Sequence, residues 1–181
     1  MKIAVCIKRV PEMDVRFKIA PNGTGVDEAG LKWDMSDFDG YAVEAALQMT
    51  EKLGTGEVVA ITLGPDAAQE TLRKALSMGA ARAVHLKADP IPFDNYAIAK
   101  ALAAELSSGG YDLVMFGKMS IDSSNGAVGP MTAELLGLPC VAAPMLRALR
   151  SVSWAASGPS VIATTSPVPS FSVIWSAAST A

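Results

Sequence analysis

Short apolar runs alternate along the chain with longer stretches of helical pattern, and this alternation limits the fold more than any other feature. The apolar runs are rich in β-branched residues and occupy positions 2–7, 58–63, 83–86 and 113–116. The helical patterns that follow the first three runs occupy positions 38–49, 66–79 and 96–106. Parallel strands need crossovers of this length, whereas antiparallel strands can be joined by tight turns. The sequence therefore predicts an α/β fold with an open, mostly parallel sheet and helices on both faces.

The region between the first strand and the first helix predicts a small N-terminal β-hairpin. Pro21-Asn22-Gly23 is a turn sequence, and it lies between an apolar run at 15–19 and Val26. Ser36 and Asp37 directly precede the first helical pattern, and either residue is able to cap that helix.

Composition indicates a globular domain and excludes several classes of function. Half of the 181 residues are hydrophobic, 18% are charged and the net charge is −3, so a nucleic-acid partner is not expected. No window approaches the roughly 20 apolar residues of a transmembrane helix, so no membrane insertion is expected. The two cysteines lack metal-ligand spacing, and Cys6 lies in an apolar run, which predicts a buried thiol, no metal site and a cytoplasmic location.

The stretch from Val114 to Gly137 has the strand–loop–helix order in which open α/β proteins bind nucleotides. Its loop contains four side chains that can bond hydroxyls, amides or phosphate oxygens: Asp122, Ser123, Ser124 and Asn125. Gly126 and Gly129 would let the backbone approach a ligand closely. The stretch matches neither the GxGxxG fingerprint nor the phosphate loop that ends in Gly-Lys-Ser/Thr. From the residues alone, a nucleotide loop and an ordinary polar loop both remain open.

The last part of the chain differs sharply in composition. All 15 Lys and Arg and all 18 Asp and Glu lie between Met1 and Arg150, and the segment from Ser151 to Ala181 has no charge. That segment is rich in Ser, Ala and Pro. Exposed positions of a soluble domain normally carry charged side chains, so we interpret residues 147–181 as an atypical tail, with a shifted reading frame as the simplest origin. An ordinary Ser-rich extension is the alternative.

Four stretches together resemble the β subunit of electron transfer flavoprotein, including its nitrogen-fixation and bifurcating members. The stretches are VCIKRV at 5–10, MSDFDGYAVEAA at 35–46, LGP at 63–65 with ETLRKALSMGA at 70–80, and Gly117-Lys118 with Ile121-Asp122 and Gly129-Pro130. The resemblance covers roughly residues 1–146. It implies a Rossmann-like domain of the adenine nucleotide α-hydrolase type over those residues.

What the resemblance implies about function is a heterodimer with an FAD-bearing α subunit. In conventional members the β subunit binds AMP, and in bifurcating members an FAD takes that place. The pair accepts electrons from dehydrogenases and passes them to a quinone reductase or a similar acceptor. The β subunit would have no catalytic residues of its own, because the redox chemistry belongs to the flavin.

The cofactor-binding positions that the resemblance implies lie after three strands and at the starts of two helices. They are Cys6, Ser36, Asp37, Phe38, Asp39, Leu63, Asp122, Ser123, Ser124, Asn125, Gly126, Ala127, Val128, Gly129, Pro130, Met131, Thr132 and Ala133. Asp122 is the principal candidate, because a carboxylate beyond a strand end can accept bonds from ribose or backbone. Ser36-Asp37 stands where the family has Asn-Pro, and helix capping explains the pair as well as ligand contact does.

Two other classes of function would require sequence motifs that differ from those of the electron carrier. A stand-alone adenine-nucleotide sensor resembling universal stress proteins would show a Gly-x2-Gly-x9-Gly-Ser/Thr loop, which this sequence lacks. An enzyme that activates carboxyl groups with ATP would carry a Ser-Gly-Gly-x-Asp-like motif after the first strand, where this chain has Lys8-Arg9-Val10-Pro11. The family's dehydrogenase-docking loop and C-terminal arm also have no counterpart between Ser151 and Ala181, so weak docking of dehydrogenases is expected.

Overall fold

The computed structural model describes residues 1–23 and 25–141 in full and the strand at 171–175 by its backbone. The strands are β1 (Lys2–Cys6), β2 (Arg9–Pro11), β3 (Trp33–Met35), β4 (Glu57–Gly64), β5 (Arg82–Lys87), β6 (Leu113–Gly117), β7 (Cys140–Val141) and β8 (Phe171–Trp175). The helices are α1 (Asp37–Leu53), α2 (Gln69–Met78), α3 (Asn95–Ser108) and α4 (Val128–Leu136), with a short 3₁₀ turn at Asp66–Ala68 before α2.

The main sheet has the strand order β5-β4-β1-β6-β8-β7. Its first four strands are parallel, whereas β8 is antiparallel to both β6 and β7. β1 lies between β4 and β6 and has parallel partners on both sides, which explains why its residues read as one continuous apolar run. The predicted open, mostly parallel α/β fold is confirmed.

Successive residues of β1 bury their side chains in two different halves of the core. Ile3 and Val5 pack with Ala42, Val43 and Ala46 of α1, and Leu72 and Ala75 of α2 belong to the same cluster. Ala4 and Cys6 pack instead in a cluster that contains Leu102 and Leu106 of α3 and Ala133 of α4. Because side chains alternate across a strand, these two clusters lie on opposite faces of the sheet, and the helices cover both faces as predicted.

The N-terminal antiparallel pair is present, but its strands are not the ones predicted. β2 pairs with β3, so the segment between them forms a long excursion from the sheet. The predicted strands around the Pro21-Asn22-Gly23 turn are reduced to one bridge between Ile19 and Val26. Both of these side chains are largely exposed, and without a buried face two short runs cannot extend into a ladder.

One part of the predicted tail joins the main sheet. The backbone of Phe171–Trp175 pairs with β6, from Gly117 opposite Phe171 to Leu113 opposite Trp175. Residues 142–170 and 176–181 lie outside the described part of the chain, so the predicted division at residue 146 and the origin of the tail stay predictions. Within the described residues, no helix has the length and apolar character needed to cross a membrane.

The core on both faces of the sheet predicts that truncating one methionine will destabilise the fold far more than truncating another. Met115 of β6 is fully buried, whereas Met13 in the excursion is 73% exposed. We expect Met115→Ala to lower the free energy of unfolding by about 2–5 kcal/mol, because it removes buried apolar contacts and leaves a cavity. Met13→Ala is the matched control and should stay within about 0.5 kcal/mol of the unsubstituted chain.

Urea unfolding followed by circular dichroism would measure both variants. Equal losses for the two methionines would contradict this assignment of the core.

Candidate functional site

The candidate site lies where the direction of chain winding reverses. From β1 the chain proceeds to β4 and then β5 on one side of the sheet, and it then crosses to β6 on the other side of β1. β1 and β6 are parallel, so their carboxyl ends meet at the same edge, and the loops that follow them separate there. In open α/β sheets this reversal produces the crevice in which ligands bind. Its walls here are the residues after Cys6 and the residues after Gly117.

A buried carboxylate from α1 connects these two walls. The backbone N–H of Lys8 donates to Asp39 Oδ2 at 2.7 Å, and the backbone N–H of Gly117 donates to Oδ1 at 3.1 Å. Asp39 is only 6% exposed. Burial raises the pKa of Asp39 to about 7, although the two N–H bonds and the nearby Lys8 ammonium oppose that rise.

Gly117 leaves room for this carboxylate. A Cβ atom at position 117 would lie 2.1 Å from Asp39 Oδ1 and 2.9 Å from the Asp39 backbone nitrogen. No side chain can occupy that space without displacing the carboxylate or the first turn of α1. A glycine at the end of β6 is therefore required by close approach, and the sequence alone shows only an apolar run that ends in glycine.

The side chain of Lys8 reaches across the mouth of the crevice. Its Nζ lies 2.7 Å from Asp122 Oδ2 and 3.4 Å from Ser120 Oγ, both in the loop after β6. Partial burial opposes ionisation of Asp122, but hydrogen bonds from Lys8 and Ser120 outweigh it and lower the pKa of the Asp122 carboxyl. Both side chains are partly open to solvent, so the pair contributes little to stability and remains available to a ligand.

The loop after β6 is ordered by short-range hydrogen bonds. Ser120 Oγ and Ser123 Oγ are 3.0 Å apart, and the N–H of Ser123 donates to Asp122 Oδ1 at 2.7 Å. The N–H of Ser124 donates to the Ser120 carbonyl at 2.9 Å, and Ser124 has a φ of 55°, a region that non-glycine residues rarely adopt. Asn125 and Gly126 continue the loop on the surface.

The loop leads directly into α4, whose first turn has no side-chain cap. Ala127 is the N-cap residue, and alanine has no oxygen to accept a bond from the first-turn N–H groups. A helix start of this kind favours an anion, because the N–H groups and the helix dipole both present positive charge. The helix begins at Val128.

Three of the predicted positions on α4 face the core. Gly129 is buried, and a Cβ atom there would lie 3.5 Å from the Phe116 ring. Thr132 is also buried and donates its hydroxyl to the Val128 carbonyl at 2.8 Å. Ala133 packs in the core cluster of α3 and α4. Pro130 and Met131 are exposed instead.

The hydroxyl of Ser36 and the thiol of Cys6 are both buried, and neither is placed in the open part of the crevice. Ser36 is the N-cap residue of α1 by backbone geometry, but its buried hydroxyl makes no cap bond and has no hydrogen-bond partner among the residues that the structure describes. Cys6 is 5% exposed, and burial, followed by the Asp39 charge, raises the pKa of its thiol. The Cys6 thiol is therefore a core group, as the sequence predicts.

The structure thus brings together one compact subset of the predicted positions. Asp39 of α1 and Asp122 of the loop are joined through Lys8, and Asp122 contacts Ser123. Leu63 lies one residue before the end of β4 at the same edge, where it pairs with Leu86. Asp37 is exposed, and Phe38 contributes backbone beside Gly117.

Three contributors were not among the predicted positions, namely Lys8, Gly117 and Ser120. A cation placed directly after a central strand is the sequence feature that could have indicated Lys8. Ser120 carries no comparable signal, because its role depends on how the loop folds back towards Ser123.

Comparison with known proteins identifies the family. The family profile described as the electron transfer flavoprotein domain matches residues 23–143. The chain is 43% identical over 142 residues to the mitochondrial electron transfer flavoprotein subunit beta of Oryza sativa subsp. japonica, and 37% identical over 142 residues to the human electron transfer flavoprotein subunit beta. It is 38% identical over 137 residues to the subunit beta of Bradyrhizobium diazoefficiens.

The matches cover 76–77% of this chain but 55–56% of each relative, so the chain spans about half the length of the relatives it matches. The profile range 23–143 includes α1, the loop after β6 and α4, and so one wall of the crevice, whereas β1 and Lys8 lie before it. The resemblance stated from the sequence motifs is confirmed: the chain belongs to the electron transfer flavoprotein family.

Proposed function

We propose that this chain is the nucleotide-binding β subunit of an electron transfer flavoprotein. It binds AMP at the crevice between β1 and β6 and assembles with an FAD-bearing α subunit. The heterodimer carries electrons from dehydrogenases to a quinone reductase or another acceptor. The observation that carries the proposal is the crevice at the winding reversal, whose β6 wall, with α1 and α4, lies within the part of the chain that the family profile matches.

The residues at the crevice suit an adenine nucleotide in charge and in hydrogen-bonding capacity. The Lys8 ammonium and the uncapped start of α4 offer positive charge to phosphate. Asp122, Ser120 and Ser123 offer a carboxylate and two hydroxyls, which can bond ribose. The ion pair with Lys8 offsets the Asp122 charge, so that this carboxylate does not by itself repel a phosphate.

Within the proposed heterodimer, this chain acts by binding and orienting rather than by reacting. A bound flavin supplies the electron chemistry, and we assign no acid, base or nucleophile of this chain to the transfer. Cys6, the one buried cysteine among the described residues, is a core thiol, and burial keeps it protonated. A cytoplasmic location stays a prediction, and the rice relative is named as mitochondrial.

The nucleotide content of the assembled complex tests the proposed function directly. The full chain would be co-expressed with an α subunit of the same family, and bound nucleotides would be released by denaturation and quantified. We expect one FAD and one AMP per heterodimer.

Two FAD without AMP would instead make this site redox-active and place the chain with the bifurcating members. A purified complex without a nucleotide beyond the FAD of the α subunit would contradict the proposed site. Failure to assemble with any family α subunit would contradict the proposed role as a subunit.

Lys8 provides a second test of the same site. We expect Lys8→Ala to weaken AMP binding to the full chain by about three- to tenfold, because it removes a cation at the mouth of the crevice and leaves the Asp122 charge unpaired. Lys18→Ala in the exposed excursion is the matched control, since it removes the same charge elsewhere. Isothermal titration calorimetry measures both, and equal affinities for the two variants would argue against phosphate binding near Lys8.

A further inference from the structure

Asp39 is among the positions that the family resemblance assigns to nucleotide contact, but the geometry points to a different role. We propose that Asp39 is a positioning residue, which holds the two walls of the crevice together and so prepares the nucleotide site without contacting the nucleotide. The proposal rests on the proposed function in taking AMP as the ligand. It deepens that function by assigning the spacing of the site to one side chain.

The first argument is that the hydrogen-bonding directions of the carboxylate towards the walls are occupied. Oδ2 accepts from the N–H of Lys8, directly beyond β1, and Oδ1 accepts from the N–H of Gly117, the last residue of β6. With 6% of its surface exposed, Asp39 has almost no area left for a ligand. The last residues paired between the two strands are Cys6 and Phe116, so both N–H groups lie just beyond the paired part of β1 and β6.

The second argument is that the carboxylate is fixed from behind. Asp39 lies in the first turn of α1, where its own N–H donates to the Ser36 carbonyl at 2.9 Å. The Ser36 N–H donates in turn to the Lys8 carbonyl at 3.1 Å, so the helix start is tied to the same wall twice. Beyond this turn, Ala42, Val43 and Ala46 are completely buried against the sheet. A rigid helix therefore sets the position of both walls.

The third argument is the close approach of the β6 wall to the Asp39 carboxylate at Gly117. The missing side chain at Gly117 is what allows the β6 wall to reach the carboxylate, because a Cβ atom there would lie 2.1 Å from Oδ1. A carboxylate that served only as a ligand to a nucleotide would not need this approach from β6. The two residues therefore act as one unit, and a change in either should alter the crevice in the same way.

Asp39→Asn tests the role of the carboxylate. An amide can accept one of the two N–H bonds through its oxygen, but its NH₂ group then faces the other N–H donor. We expect faster hydrogen exchange at the amides of Lys8 and Gly117 and AMP binding that is weaker by about tenfold. Asp14→Asn is the matched control, because it makes the same chemical change at an exposed position in the excursion between β2 and β3, away from the crevice. Its AMP affinity should stay within about twofold of the unsubstituted chain.

Gly117→Ala tests the same unit from the other wall and separates positioning from direct contact. We expect it to weaken AMP binding as Asp39→Asn does, and the double variant should lose little more than either single variant. Gly40→Ala is the control for a glycine replacement, because a Cβ atom there meets no other atom within 4 Å. If Asp39 contacts the nucleotide directly, Asp39→Asn should weaken binding while Gly117→Ala leaves it unchanged, and that result would overturn the proposal.

The pH dependence gives a readout that a merely structural residue would not produce. Burial raises the pKa of Asp39 to about 7, and the ionisable groups that bear on it are Cys6, Lys8 and Asp122. A protonated carboxyl no longer accepts both N–H bonds equally well, so the AMP affinity of Asp14→Asn relative to that of Asp39→Asn should fall as the pH is lowered from 8 to 6. Protonation of AMP itself is common to both variants and cancels in this ratio.

Global stability should move in the opposite direction over the same range. The native pKa of Asp39 lies above its ordinary value of 3.8, so the native state keeps a proton that the unfolded chain releases between about pH 4 and 7. The free energy of unfolding of Asp14→Asn relative to that of Asp39→Asn should therefore rise as the pH falls, while the relative AMP affinity falls. Parallel changes in stability and affinity would mean that Asp39 acts only on folding, and would overturn the proposal.

Failure of this proposal can be distinguished from failure of the proposed function. If the unsubstituted chain binds no AMP, the proposed nucleotide site is wrong. The connection between the walls is still tested by hydrogen exchange at Lys8 and Gly117 in the ligand-free full chain. Unchanged exchange at both amides in Asp39→Asn, with the protein folded, would show that the carboxylate does not hold the walls.

Discussion

One buried carboxylate ties together the edge of the sheet on which the site of this chain depends. The backbone N–H groups of Lys8 and Gly117 lie just beyond the last paired residues of β1 and β6, and buried N–H groups without acceptors are costly. The Asp39 carboxylate accepts one hydrogen bond from each of these two N–H groups. The carboxylate in turn needs these donors, because a charged group this deeply buried is tolerated only where hydrogen-bond donors surround it. The crevice and the start of α1 are therefore one structural unit.

This unit explains why the site is divided between a rigid part and an adaptable part. Asp39 is buried, and the backbone of Gly117 lies so close to its carboxylate and to the first turn of α1 that packing leaves this group little freedom. Lys8 and Asp122 meet in front of them through partly exposed side chains, which can exchange one partner for another at small cost. A ligand would meet preformed walls and movable charges, and such an arrangement lowers the entropy lost on binding.

The family assignment and the geometry support each other at the level of the domain. The matched range 23–143 contains α1, β6, the loop that follows it and α4. The alignment with the rice relative covers 77% of this chain, which is enough to identify the family. It covers only 56% of the rice protein, so the rest of that protein has no counterpart in the alignment. The proposals on partners and on electron transfer therefore rest on the family match and on the geometry of the crevice.

The amino-acid sequence by itself determined the order and type of the main elements, because a continuous apolar run such as Val58–Leu63 is stable only inside a covered parallel sheet. It also indicated the loop at Asp122 and the buried thiol of Cys6. The N-terminal pair was mislocated, because Ile19 and Val26 have β propensity but no buried face, whereas β2 and β3 pair across more than twenty residues.

Only the tertiary structure decided that Asp39 accepts bonds from two different strand ends and that Lys8 crosses to Asp122. Residues 8 and 39, and still more 39 and 117, are far apart along the chain. Local pattern carries no information on which of the many polar side chains at strand and helix ends will meet there. Winding reversal around β1 sets those meetings, and it is a property of the whole sheet.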